Sequence, residues 1–75
     1  MFLEVKINTE YITLGQFLKY VGIIDSGFLA KIYLSENYAI VNREKENRRG
    51  RKLYPGYEII AEGKKYLIES WVISQ

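Results

Sequence analysis

Neither cysteine nor histidine occurs anywhere in this chain of 75 residues. That double absence removes the two staples on which small domains commonly rely, because a disulfide needs two thiols and a structural zinc site needs thiolates or imidazoles. A chain this short buries only ~60% of the surface that its unfolded form exposes. Its stability must come from packing a thin core, with room for one domain spanning residues 1–75. The apolar fraction, 48%, supplies enough material for such a core. The same absence excludes thiol chemistry, a Ser-His-Asp triad, an imidazole base and a zinc finger. It also fits a reducing compartment. Residues 1–11 carry no basic leader and no run of membrane-spanning length. The expectation is a small soluble cytoplasmic protein that does not associate with membranes.

Hydrophobic periodicity divides the chain. Residues 2–7 alternate, with Leu3, Val5 and Ile7 on one face, which predicts a half-buried strand. Thr13 and Gln16 have the spacing of a capping box, and Leu14, Phe17, Leu18 and Val21 then recur at helical intervals. Gly22 is placed to end that helix. Asp25 and Ser26 offer a second N-cap, with Leu29, Ile32 and Tyr33 as the stripe, Ala30 and Leu34 widening it, and Asn37 as its stop. A linker of four or five residues makes the two helices neighbours. Ala39-Ile40-Val41 reads as a short strand, Pro55-Gly56 as the centre of a type II turn, and 57–62 as a strand. Gly63-Lys64 reads as a turn and 65–74 as a longer strand, in which Glu69 and Ser70 break both alternations and leave the buried face open. The order predicts an α+β fold: two short packed helices against a small, mainly antiparallel sheet.

Charge is uneven along this chain. Between residues 43 and 52, Arg43, Lys45, Arg48, Arg49, Arg51 and Lys52 stand against Glu44 and Glu46, a net of +4. The whole chain carries +2, so the remaining residues carry −2. Such a segment suits a polyanionic partner, although the bland alternative is a solvated turn that only aids solubility. Arginine forks onto phosphate oxygens bidentately, and Gly50 between Arg49 and Arg51 would let the backbone come close to a ligand.

Leu14, Gly22, Ser26, Ala30, Lys31, Leu34, Val41, Asn42 and Gly56 stand where the S4 RNA-binding domain has its pattern of leucine, glycine, serine, Ala-basic, Val-Asn and late glycine. The chain resembles that family over about residues 12–59. The runs Ile12-Thr13-Leu14-Gly15-Gln16-Phe17-Leu18-Lys19 and Asn47-Arg48-Arg49-Gly50-Arg51-Lys52-Leu53-Tyr54 are similar to the stand-alone YaaA-type S4 proteins of Gram-positive bacteria. The resemblance implies an S4-like (alpha-L) fold and docking on structured RNA, with ribosomal RNA or ribosomal particles as the partner class. Thr13, Gly15 and Gly27 depart from the general pattern, which often has Arg, Asp and Arg at those places. The departures shift the expected binding energy from the helix N-termini to the loop 48–52.

On this reading the RNA-binding candidates are Ser26, Lys31, Arg43, Arg48, Arg49, Arg51, Lys52 and Tyr54. Ser26 is first of all an N-cap, but a helix N-terminus also attracts phosphate. Lys31 lies off the apolar stripe and could share a surface with the loop. Lys19 is more simply a solvated lysine. Tyr54 follows the basic run and could stack a base, whereas the other aromatic residues suit a core of bulky rings. Asp25 is the only aspartate, and no phosphate-cradling glycine loop or paired-carboxylate spacing occurs. A non-enzymatic protein is expected, without cofactor, metal or small-molecule substrate. The rival reading is a protein-interaction adaptor whose basic loop binds an acidic protein surface.

Overall fold

Alternation at the start of the chain yields β1 (Leu3–Ile7), and the computed structural model describes residues 2–71. Val5 and Ile7 are buried, but Leu3 is exposed at the end of the strand, contrary to the face assigned from alternation. A two-residue strand, β2 (Ile12–Thr13), leads directly into α1 (Leu14–Tyr20). Thr13 caps α1 as its spacing predicted. Its hydroxyl accepts from the Gln16 backbone N–H at 3.2 Å, and the Gln16 side-chain oxygen accepts from the Thr13 N–H at 2.8 Å. At the far end Gly22, with φ +83°, donates to the Lys19 carbonyl while Ile23 donates to Leu18, the paired bonds of a Schellman motif.

The second helix, α2 (Leu29–Glu36), differs from its forecast start. Its N-cap is Phe28, in helical conformation and without a capping side chain. Asp25 and Ser26 lie earlier, in a connection eight residues long, and the Leu29 and Ala30 N–H groups donate to the Ser26 and Gly27 carbonyls. A tight turn therefore satisfies the first donors that a cap would otherwise serve. The buried stripe centres on Ala30 and Leu34, with Leu29 and Tyr33 half-buried, while Ile32 is 59% exposed. Asn37 does stop the helix: its N–H and its side-chain amide both reach the Tyr33 carbonyl.

Strands β3 (Ala39–Val41), β4 (Glu44–Glu46), β5 (Lys52–Leu53), β6 (Glu58–Ala61) and β7 (Lys64–Ser70) complete the chain. The forecast of three strands after the helices missed β4, which lies inside the basic segment, and β5. Five strands form a sheet in the order β1-β7-β6-β3-β4, antiparallel except for the parallel pair β1–β7, while β2 and β5 pair separately. Asn42 and Arg43, both with positive φ, form the two-residue turn between β3 and β4. Asn42 also bonds β6 twice, donating its N–H to the Glu58 carbonyl and accepting the Glu58 N–H on its side chain. The final hairpin turns at Glu62-Gly63, one residue earlier than forecast. Pro55-Gly56 makes the forecast turn: Tyr57 N–H donates to the Tyr54 carbonyl, and Gly56 has φ +95°. Gly56 and Tyr57 both bond Ile68, a bulge that starts β6.

Both helices lie on one face of the sheet. Leu14, Phe17 and Leu18 of α1 and Ala30 and Leu34 of α2 share one core with Val5, Ile7, Val41, Ile59, Ala61, Tyr66 and Ile68. Phe17 meets the Tyr66 ring edge-on at 5.1 Å. Tyr66 and Ile68 settle the buried face of β7, and the forecast extension to residue 74 lies outside the described residues.

Candidate functional site

Strand β4 decides the shape of the basic segment. Glu46 pairs with buried Ala39, so alternation turns its carboxylate inward, where it is only 6% exposed. A buried carboxylate needs charged or hydrogen-bonding partners. Arg48 supplies three bonds: its backbone N–H at 3.0 Å and Nε at 2.8 Å reach Oε2, and Nη2 reaches Oε1 at 2.9 Å. Arg51 adds Nη1 to Oε1 at 2.8 Å. The Arg48 side-chain bonds outweigh desolvation and hold the Glu46 pKa down at about 2. The guanidinium pKa values of both arginines rise in turn, chiefly through their hydrogen bonds to Glu46.

A second set of bonds fastens this loop to α1. Leu14 N–H donates to the Arg51 carbonyl at 2.8 Å and Gly15 N–H to the Arg49 carbonyl at 2.9 Å. With Gln16 N–H on Thr13, the first three donors of α1 are all committed, so they are not available to phosphate. Gly15 makes the approach possible. A Cβ there would meet the Ala30 Cβ at 3.3 Å and the Arg49 carbonyl oxygen at 3.4 Å. The departure from the general family pattern at Gly15 thus coincides with a loop carbonyl lying over the helix start. Pairing of Thr13 with Lys52 and of Ile12 with fully buried Leu53 closes the other side of the loop.

Against this frame the candidates separate. Arg49 is exposed, and among the described residues it forms no ion pair; with Lys31, Leu34, Ser35 and Asn47 it lines a shallow hollow of about 230 Å³. The expected shared surface between Lys31 and the loop is therefore present. Arg48 is 72% exposed although its fork lies on Glu46. Arg51 is held between Glu46 and the Tyr57 ring, 5.8 Å from its centroid. The Lys52 ammonium sits 4.9 Å from the Tyr11 ring centroid. Tyr54 is half-buried, with Tyr11 at 5.6 Å and Tyr57 at 5.7 Å. Arg43 occupies the β3–β4 turn, at the opposite end of β4 from the loop. Ser26 does not cap α2 and is not part of the hollow.

Three participants escaped the sequence reading. Glu46 entered the sequence reading only as a charge set against the basic residues; its signal is the two arginines that follow it at two and five residues. Tyr11 and Tyr57 had no sequence mark, because only the fold brings them to Tyr54. Among the described residues no three His, Cys, Asp or Glu side chains gather as a metal would require. The arrangement can present fixed cations, and that is its chemistry.

The family model of the S4 domain matches residues 5–69, from β1 to β7. This chain belongs to the S4 domain family. A curated relative of this S4 protein is named "Probable ribosome maturation protein RlbA", from Bacillus subtilis (strain 168). The two are 56% identical over 59 residues, covering 79% of this chain and 83% of the relative. No solved structure matches the S4 chain significantly.

Proposed function

We propose that this S4 domain is a non-catalytic RNA-binding protein that docks on structured ribosomal RNA, in an assembling or mature ribosome, through the loop 47–52 and α2. The observation that carries the reading is the clamped loop, whose carbonyls are tied to α1 and whose Arg48 and Arg51 are tied to Glu46. A fastened loop presents its remaining cations without a large ordering cost on binding. Arg49, Lys31 and Lys52 are the phosphate contacts; Arg48 and Arg51 shape the loop and add to its field. Phosphate contacts fix position, and the shape of the RNA supplies selectivity. Family membership and the relative's name support a ribosomal partner.

Titration with ribosomal RNA at several salt concentrations tests this. Three phosphate contacts imply a log–log slope of about −2.7 with the duplex coefficient, or about −2.1 with the single-strand one. Arg49→Ala lowers the slope by ~1. Arg49→Lys keeps the slope but loses the bidentate fork, so affinity still falls. A folded triple variant (Lys31→Ala, Arg49→Ala, Lys52→Ala) that binds as tightly as the parent overturns the proposal. If ribonuclease leaves the protein's apparent size in a lysate unchanged, an acidic protein partner is favoured instead.

A further inference from the structure

On the other side of β2 lies a groove of about 720 Å³ that the loop does not use. It runs from Lys6 through residues 7–13 to Gln16 and Tyr20 of α1, and ends at Trp71. We propose that this groove is a second RNA site, which stacks one unpaired nucleobase on Trp71 and Tyr20; the inference rests on the RNA-binding reading above. The volume falls in the range of small-molecule sites, ~300–1,000 Å³. Trp71 is 60% exposed and Tyr20 is 61% exposed, large rings open to solvent on a domain with little core to spare. Trp71 is also fixed in place. Its backbone N–H donates to the Ile7 carbonyl at 2.9 Å, which holds the main chain, and the Lys6 ammonium lies 5.1 Å from its ring centroid. An anchored aromatic ring beside a cation is the pairing that single-stranded nucleic acid uses, base on ring and phosphate on charge.

The wall is polar where a base edge would need it. Asn8, Thr9 and Gln16 line the groove, and Gln16 keeps its amide NH2 while Thr13 N–H occupies its oxygen. Glu10 also lines it and repels a phosphate from the interior, which favours a neutral base. The groove adjoins the basic loop: Tyr11 is part of its wall and lies under the Lys52 ammonium, and Thr13 pairs with Lys52. A nucleotide leaving the loop would meet the groove next. Cations and amide groups beside the rings favour RNA over an apolar peptide.

Trp71 is the only tryptophan in the chain, so its fluorescence reports the groove alone. The probes are hexa-adenylate RNA, an abasic hexamer of the same charge, and a blunt RNA duplex. Hexa-adenylate should quench Trp71 and the abasic hexamer should not. Tyr20→Ala, folded by circular dichroism, should bind hexa-adenylate ~5–150-fold more weakly while binding the duplex like the parent. Equal quenching by the abasic hexamer overturns the proposal, since charge alone would explain it. Absence of quenching with duplex binding intact overturns the groove but leaves the loop reading standing. Quenching with duplex binding absent does the reverse. If Trp71 ignores hexa-adenylate and Tyr20→Ala removes a ribonuclease-resistant complex that the parent forms in a lysate, the groove belongs to a protein partner and the proposal fails.

Discussion

Glu46 puts a negative charge at the centre of the most positive part of the chain, and two opposite expectations follow from its removal. On charge alone, Glu46→Gln makes the loop more basic and should tighten RNA binding. With the carboxylate as the post to which Arg48 and Arg51 are tied, the same change should weaken binding severalfold. RNA titration of the folded variant at fixed salt separates these outcomes, and the second is expected. Stability should fall by roughly 1.5–3 kcal/mol, the range for hydrogen bonds to a charged group. The acid limb follows from the same contact. The folded pKa of about 2 lies below that of an unfolded glutamate, so the contribution is complete above pH ~4.3. It is lost as pH falls towards 2, and Glu46→Gln should flatten that part of a denaturation series between pH 6 and pH 2. Gly50 provides a contrasting test in the same loop. Its φ is not positive and a Cβ there meets nothing within 4 Å, so Gly50→Ala should leave the denaturation midpoint unchanged or slightly raised. If RNA affinity also stays unchanged, the backbone at residue 50 does not approach the ligand.

At the scale of elements, capping and docking are the same construction in α1. Thr13→Ala should cost ~1 kcal/mol for the cap, and Leu18→Ala roughly 2–5 kcal/mol for a fully buried side chain; denaturant titration measures both. Helix α2 is fastened differently, by the Tyr33 hydroxyl on the Glu62 carboxylate in the β6–β7 turn. Burial first, and then Glu62, raise the Tyr33 pKa to about 12. A folded pKa above the unfolded value of ~10 gives stability that is complete below pH ~10 and is lost as pH rises through about 12. The stability gap between the parent and Tyr33→Phe should accordingly close between those values. Helix α1 was legible from sequence because its cap, stripe and terminal glycine are all local. The start of α2 was not, since Asp25 and Ser26 satisfied the local rule while the backbone turn at Ser26 and Gly27 did the work of a cap. Strand β4 was hidden by its charges: Glu44-Lys45-Glu46 has no apolar residue and is a strand through its pairing with β3. The candidate site was legible as charge and illegible as geometry, since the fold, through Glu46 and Gly15, determines which cations are tied down.

For the molecule as a whole, the strand order links its earliest and latest parts. Strand β1 pairs only with β7, in parallel, with Ile7 opposite Ser70. Antiparallel hairpins such as β3–β4 and β6–β7 close as soon as their few residues exist, but β1 cannot. During synthesis at ~5–20 residues per second, β1 waits on the order of 3–12 s for its neighbour, with Val5 and Ile7 still uncovered. Two helices and five strands, β2 to β6, are made before then, so the strand that starts the chain is the last to find its place in the sheet. The chain's closing contact is thus between its first strand and its last, and Val5 and Ile7 gain their sheet neighbours only when β7 has been made.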